Sequence, residues 1–167
     1  MPRRYRRRKY YPVRSLKTAK YSNETEATAV SSTFLSSKTY KCTFTPGTTV
    51  LGTRKVKNFT LSIISNSNIS FYFALVFVPE GTIASDINFG YQIDESGILT
   101  AASLYEPNQN VIISGIFGGP SGSVQRFKSR LARNLNSNDT IQLVMRPISN
   151  ISEARIIQAS LNYALAY

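Results

Sequence analysis

IQASLNYALAY, residues 157–167, places Ile157, Ala159, Leu161, Tyr163, Leu165 and Tyr167 on one side, and Gln158, Ser160 and Asn162 on the other. Apolar residues at every second position mark a strand with one buried face. The same period recurs upstream. Ile141, Leu143 and Met145 alternate with Thr140, Gln142 and Val144 until Pro147 ends the run. Phe59, Leu61 and Ile63 oppose Asn58, Thr60 and Ser62, and Tyr40, Cys42 and Phe44 oppose Lys41, Thr43 and Thr45. Residues 71–78, FYFALVFV, are apolar on both faces, as expected of a central strand covered on both sides.

Val111–Phe117 adds another apolar run, stopped by Gly118-Gly119-Pro120, and weaker strand candidates lie at Thr25–Phe34 and Val124–Leu131. Turn signals separate these runs at Pro46-Gly47, Asn66-Ser67-Asn68, Pro79-Glu80-Gly81 and Asn136-Ser137-Asn138-Asp139. Eight short strands without helical periodicity predict an all-β sandwich or barrel. Two segments fit less simply. Residues 79–110 are long for a passive connection, with one short strand candidate at Asn88–Ile93. Residues 125–135 read either as a strand, with Arg126, Lys128 and Arg130 opposite Phe127 and Leu131, or as a helix with Arg126, Arg130 and Arg133 on one side. The strand through Leu131 is the favoured reading.

Charge divides the chain in two. The net charge is +11, yet Arg3, Arg4, Arg6, Arg7, Arg8, Lys9, Arg14, Lys17 and Lys20 supply nine positive charges before any acidic residue occurs. The rest is nearly neutral. Residues 1–21 therefore read as a disordered cationic arm, kept open by self-repulsion, and 22–167 as the folded domain. Such an arm neutralises phosphates, with a log–log salt slope of about −6 if all its cations engage single-stranded nucleic acid. Tyr5, Tyr10 and Tyr11 are interleaved with these cations and suited to stack on unpaired bases. Arg6, Arg7, Arg8 and Lys9 also suffice as a nuclear import signal, for which the partner is a nuclear import receptor. No membrane insertion is expected, because the longest apolar run, Phe71–Val78, falls far short of the ~20 residues that span a bilayer.

Little else in the chain points to chemistry. There is no histidine and only one cysteine, which removes the commonest general base, the usual zinc ligands and Ser-His or Cys-His nucleophiles. Neither an enzyme activity nor a cofactor nor a bound metal is expected. Glu24 and Glu26, and Asp94 and Glu95, read as solvated loop residues; a calcium site shared between subunits and built from Asp86, Asp94 or Glu95 is the weaker reading. The glycine-rich stretch Gly115–Ser123 lacks the lysine and hydroxyl of a phosphate loop and reads as a turn.

In order, MPRRYRRRKYYPVR at the start, GTRKVKNFTLSI at 52–63, ALVFVPEGT at 74–82, LYEPNQNVIISGIF at 104–117, RFKSRLARNLNSNDTIQLV at 126–144 and the final LNYALAY resemble the capsid proteins of small circular single-stranded DNA viruses, the circovirus-like group. The resemblance implies an eight-stranded jelly roll of two packed antiparallel four-stranded sheets. It implies a homo-oligomer of about sixty copies in a T = 1 icosahedral shell, arms inward around a single-stranded DNA genome. Residence in the virion, and in the host nucleus during assembly, follows from the same resemblance. RNA is an equivalent cargo for recombinant particles, since phosphate binding does not distinguish the two. By position it assigns Arg54, Lys55 and Lys57 to a strand facing the lumen, and Arg126, Lys128 and Arg130 to an extension of that basic surface or to subunit contacts. Residues 79–110 would lie outside, at symmetry contacts. The competing class is a cellular nucleic-acid-binding protein, of ribosomal or single-strand-binding type, with a basic tail.

Overall fold

A computed structural model describes residues 21–44, 52–81, 91–93, 99–101 and 110–166. Alternating side chains produce strands throughout, and none of the described residues is helical. The strands are β1 (Tyr21–Phe34), β2 (Tyr40–Phe44), β3 (Arg54–Ser65), β4 (Phe71–Val78), β5 (Tyr91–Ile93), β6 (Leu99–Ala101), β7 (Asn110–Phe117), β8 (Val124–Leu135), β9 (Thr140–Pro147) and β10 (Ile151–Ala166). Eight of them form two antiparallel four-stranded sheets, in the orders β1-β10-β3-β8 and β2-β9-β4-β7. The chain changes sheet at every connection except the one from β4 to β7, which is a jelly-roll winding. Residues 1–20 of the arm and the candidate calcium residues Asp86, Asp94 and Glu95 lie outside the described residues, while Tyr21, expected to close the arm, opens β1.

The two sheets close on the faces that the alternation marks. Phe34, Cys42, Phe44, Phe59, Leu61, Ile63, Phe71, Phe73, Leu75, Phe117, Ile141, Leu143, Met145, Ile157, Leu161 and Tyr163 all belong to one buried cluster between them. Aromatic rings meet edge to face within it, Phe34 against Phe71 at 5.1 Å and against Tyr40 at 4.6 Å. The Tyr40 hydroxyl then secures the β1–β2 turn, donating to the Thr33 carbonyl and accepting from the Leu35 amide, both at 2.9 Å. The double-faced run of β4 is covered as expected. Ala74, Val76 and Val78 make a second buried cluster with Val144 of β9, on the face opposite Phe71, Phe73 and Leu75.

Three expectations need adjustment. The first strand begins at Tyr21, four residues ahead of Thr25, and takes in Glu24 and Glu26. Those carboxylates are not in a loop. They occupy inward positions of an edge strand, opposite Tyr163 and Leu161, because SNETEATAVSS alternates in register with β10. Inward-pointing charge on an edge strand also discourages further strand pairing. Residues 125–135 are strand throughout, past Leu131 to Leu135, since pairing with β3 continues to Arg54. Within 79–110 the short strand is Tyr91–Ile93, and it has a partner in Leu99–Ala101 that the sequence pattern did not reveal.

The turns carry the residues that their geometry requires. Gly118 packs against Ser70 so closely that a Cβ there would stand 2.4 Å from Ser70 Oγ and 3.2 Å from Ser70 Cα. Gln125 closes this glycine-rich turn by accepting from the Gly118 amide and donating to its carbonyl. At the other end, Asp139 is buried and its carboxylate accepts from the amides of Asn136 at 2.7 Å and Glu80 at 3.0 Å. That pair ties the β8–β9 turn to the chain leaving β4.

Candidate nucleic-acid interface

The basic residues of β3 do not all point the same way. Strand alternation puts Arg54 and Val56 inward, opposite Leu135 and Arg133, and sends Lys55 and Lys57 outward, opposite Asn134 and Ala132. Arg54 is accordingly buried, at 3 % exposure, and does not share a surface with the two lysines. Beyond Lys57 the register changes. Asn58 adopts φ 57°, and Asn58 and Phe59 together oppose the single Tyr163 of β10, while Arg130 and Leu131 together oppose Asn58 from β8. This is a β-bulge at a left-handed residue, a conformation Asn tolerates better than most. It reverses the parity of β3, so that Phe59, Leu61 and Ile63 enter the core although Val56 also does.

On β8, Phe127 and Ser129 sit opposite the inward Leu61 and Phe59, which leaves Arg126 and Lys128 outward opposite Ser62 and Thr60. Arg130 continues that exposed row to the bulge. The outer face of the β1-β10-β3-β8 sheet thus gathers Lys55, Lys57, Arg126, Lys128 and Arg130. Sequence distance had hidden the neighbourhood, since about seventy residues separate the two groups. Among the described residues no carboxylate pairs with any of these five cations, and the two acids of β1 occupy the opposite face. Unopposed like charges on a sheet raise the local potential and favour an anionic partner.

The start of β1 belongs to the same face. Tyr21, the first described residue, pairs with Ala166 beside Lys55, and the Lys57 ammonium lies 3.5 Å from the centre of the Tyr21 ring. Such a cation–π contact fixes the start of the strand next to the basic patch. The arm's own candidates, Arg3 to Lys20 with Tyr5, Tyr10 and Tyr11, fall outside the described residues.

The other half of the face differs in kind. Three rows of paired residues cross the sheet, reading Ala29–Gln158–Ile64–Val124, Ala27–Ser160–Ser62–Arg126 and Thr25–Asn162–Thr60–Lys128. Small side chains on β1, β10 and β3 leave a concavity of about 410 Å³, lined by Ala27, Ala29, Ser62, Ile64, Gln158 and Ser160. Sequence reading missed it. The available signal was the run of small residues at outward positions of two strands, which acquires meaning only once β1 and β10 are known to be neighbours.

Among the described residues no group of three or more His, Cys, Asp or Glu side chains is placed to hold a metal ion, and no helix is long and apolar enough to cross a membrane. No protein-family model matches the chain, and no curated protein matches it.

Proposed function

We propose that this chain is a capsid protein of the circovirus-like kind, whose jelly roll builds a shell and whose basic arm and basic sheet face hold single-stranded nucleic acid inside it. One observation carries the reading. The cations Lys55, Lys57, Arg126, Lys128 and Arg130 lie on a single sheet face, free of carboxylates among the described residues, and Tyr21, which follows the nine positive charges of residues 1–20 in the sequence, contacts Lys57 on that same face. Charge on one side and neutrality elsewhere suit a wall with an inside and an outside. A cellular single-strand binder of this size more often spreads its charge over the folded surface.

A shell also needs surfaces for self-association. Five of the seven exposed large hydrophobics among the described residues lie at one end of the sandwich: Leu35, Ile116, Val124 and Ile148 in or beside the connections β1–β2, β7–β8 and β9–β10, and Ile156 against Asn66 of the β3–β4 connection. Apolar side chains gathered at one end support contact with further copies.

Electron microscopy of the recombinant protein, full length and lacking residues 1–20, tests the proposal, with the 260/280 nm absorbance ratio recorded alongside. The expected result is uniform shells from both forms, with nucleic acid only in the full-length ones. Failure of either form to assemble at any salt concentration, while the full-length chain binds DNA as a monomer, would transfer the arm to an ordinary nucleic-acid-binding protein.

A further inference from the structure

The outer face of the β1-β10-β3-β8 sheet is divided lengthwise. All five outward cations are on β3 and β8, whereas β1 and β10 present no outward charge, and the concavity spans those two strands and the neighbouring Ser62 and Ile64 of β3. A purely electrostatic liner does not need that division. A single strand of nucleic acid does, because each nucleotide has a charged side and a flat, largely apolar side. Building on the packaging role proposed above, we infer that the concavity lined by Ala27, Ala29, Ser62, Ser160 and Gln158 is a subsite for unpaired bases, whose phosphates follow Arg126, Lys128 and Arg130.

The dimensions agree. Outward residues two apart on one strand stand about 6.6 Å from each other, a spacing that successive phosphates of an extended single strand can follow along β8. Ser160, Ser62 and Arg126 belong to one cross-strand row, so the middle of the concavity is two strand spacings, about 10 Å, from the Arg126 backbone. A long guanidinium side chain leaning across Ser62 reduces that gap to the span between a base and its own phosphate. The methyl groups of Ala27 and Ala29 supply a low apolar floor, and the Gln158 amide and the Ser160 and Ser62 hydroxyls line it with hydrogen-bonding groups that can meet any base edge. Ile64 lines one end of the concavity, while the short side chains of Ala27, Ala29, Ser160 and Ser62 leave its middle open. A duplex keeps its bases stacked inside, so this subsite distinguishes unpaired from paired nucleic acid and is indifferent to sequence.

The test keeps the full chain and its arm. Fluorescence anisotropy compares a thymidine oligonucleotide with an abasic oligomer of equal length and charge, for the wild type, for Ala27→Ile/Ser160→Ile, and for Arg126→Gln/Lys128→Gln. The isoleucines fill the concavity without changing charge, and β-branched residues suit outward strand positions. The wild type should prefer the base-bearing oligomer by about fivefold or more. The filled variant should lose most of that preference, keeping only what stacking on Tyr5, Tyr10 and Tyr11 of the arm supplies, while its affinity for the abasic oligomer stays constant; the charge variant should weaken on both oligomers alike. Undiminished preference in the filled variant overturns the subsite and leaves the packaging role standing. Failure of the wild type to bind either oligomer overturns the packaging role itself. A second readout does not depend on any variant: photocross-linking of an iodouracil-bearing oligonucleotide to the wild-type chain should label peptides of β1 and β10, and labelling confined to residues 1–20 refutes the inference.

Discussion

Neutralising the basic face alone should change how binding responds to salt, by an amount that follows from counting its cations. Each cation engaged with single-stranded phosphate contributes about 0.7 to the log–log salt slope. The nine arm cations alone correspond to about −6, and adding Lys55, Lys57, Arg126, Lys128 and Arg130 steepens this to about −10. The variant with all five replaced by Gln should therefore return to about −6. Over a fivefold rise in salt the wild type should lose about 300-fold more affinity than that variant, since five cations steepen the slope by about 3.5. Anisotropy titrations of a fluorescent single-stranded oligonucleotide over a salt series measure the slope directly. Arg54→Gln is the internal control: it removes the same charge from the same strand but from a buried position, so it should lower the melting temperature and leave the slope at about −10. A wild-type slope of −6, or an Arg54 variant that shifts the slope as much as Lys55→Gln does, would refute the assignment of this face.

Other consequences concern the scaffold. Gly118→Ala should destabilise the domain by about 1–3 kcal/mol in denaturant unfolding, because its Cβ would stand within 3.2 Å of the Ser70 backbone, which a side-chain rotation cannot relieve. Asp139→Ala should cost on the order of 3 kcal/mol by leaving the Asn136 and Glu80 amides without their carboxylate acceptor, lowering the melting temperature with little effect on the salt slope. Burial pushes the Cys42 thiol up from 9.0 to about 11, so in the native protein it should resist thiol reagents at pH 8 that react at once after unfolding. The linkage has a definite sign. The folded state keeps the thiol proton where the unfolded chain has lost it, so this contribution is fully present below pH 9.0 and stability falls as pH rises from there to about 11. Cys42→Ala should lose that alkaline slope, measured as melting temperature against pH.

The fold class was legible because the pattern that specifies a strand is local. Apolar side chains at every second residue of 157–165, 59–63 and 40–44 have one use, to bury a face, and those faces are the ones that meet in the core. The doubled apolar character of 71–78 likewise announced cover on both sides, and charge partition between arm and domain needed only a count. Where alternation was weaker, in 21–34, only Thr25–Phe34 read as a strand candidate, and Glu24 and Glu26 looked like loop until pairing with β10 gave them a register.

Which side chains share a surface was beyond the reach of the sequence. Arg54, Lys55 and Lys57 read as one basic group, but the pleat sends the first inward and the other two outward, and the left-handed Asn58 then shifts the parity of everything that follows. Local pattern contains no term for strand order. Only hydrogen bonding between β3 and β8 sets Lys55 and Lys57 beside Arg126, Lys128 and Arg130, and only the pairing of β1, β10 and β3 turns scattered alanines and serines into a concavity next to that charge. The sequence determined what each strand buries and that the molecule carries its charge at one end; long-range pairing decided where an anionic partner finds a continuous surface.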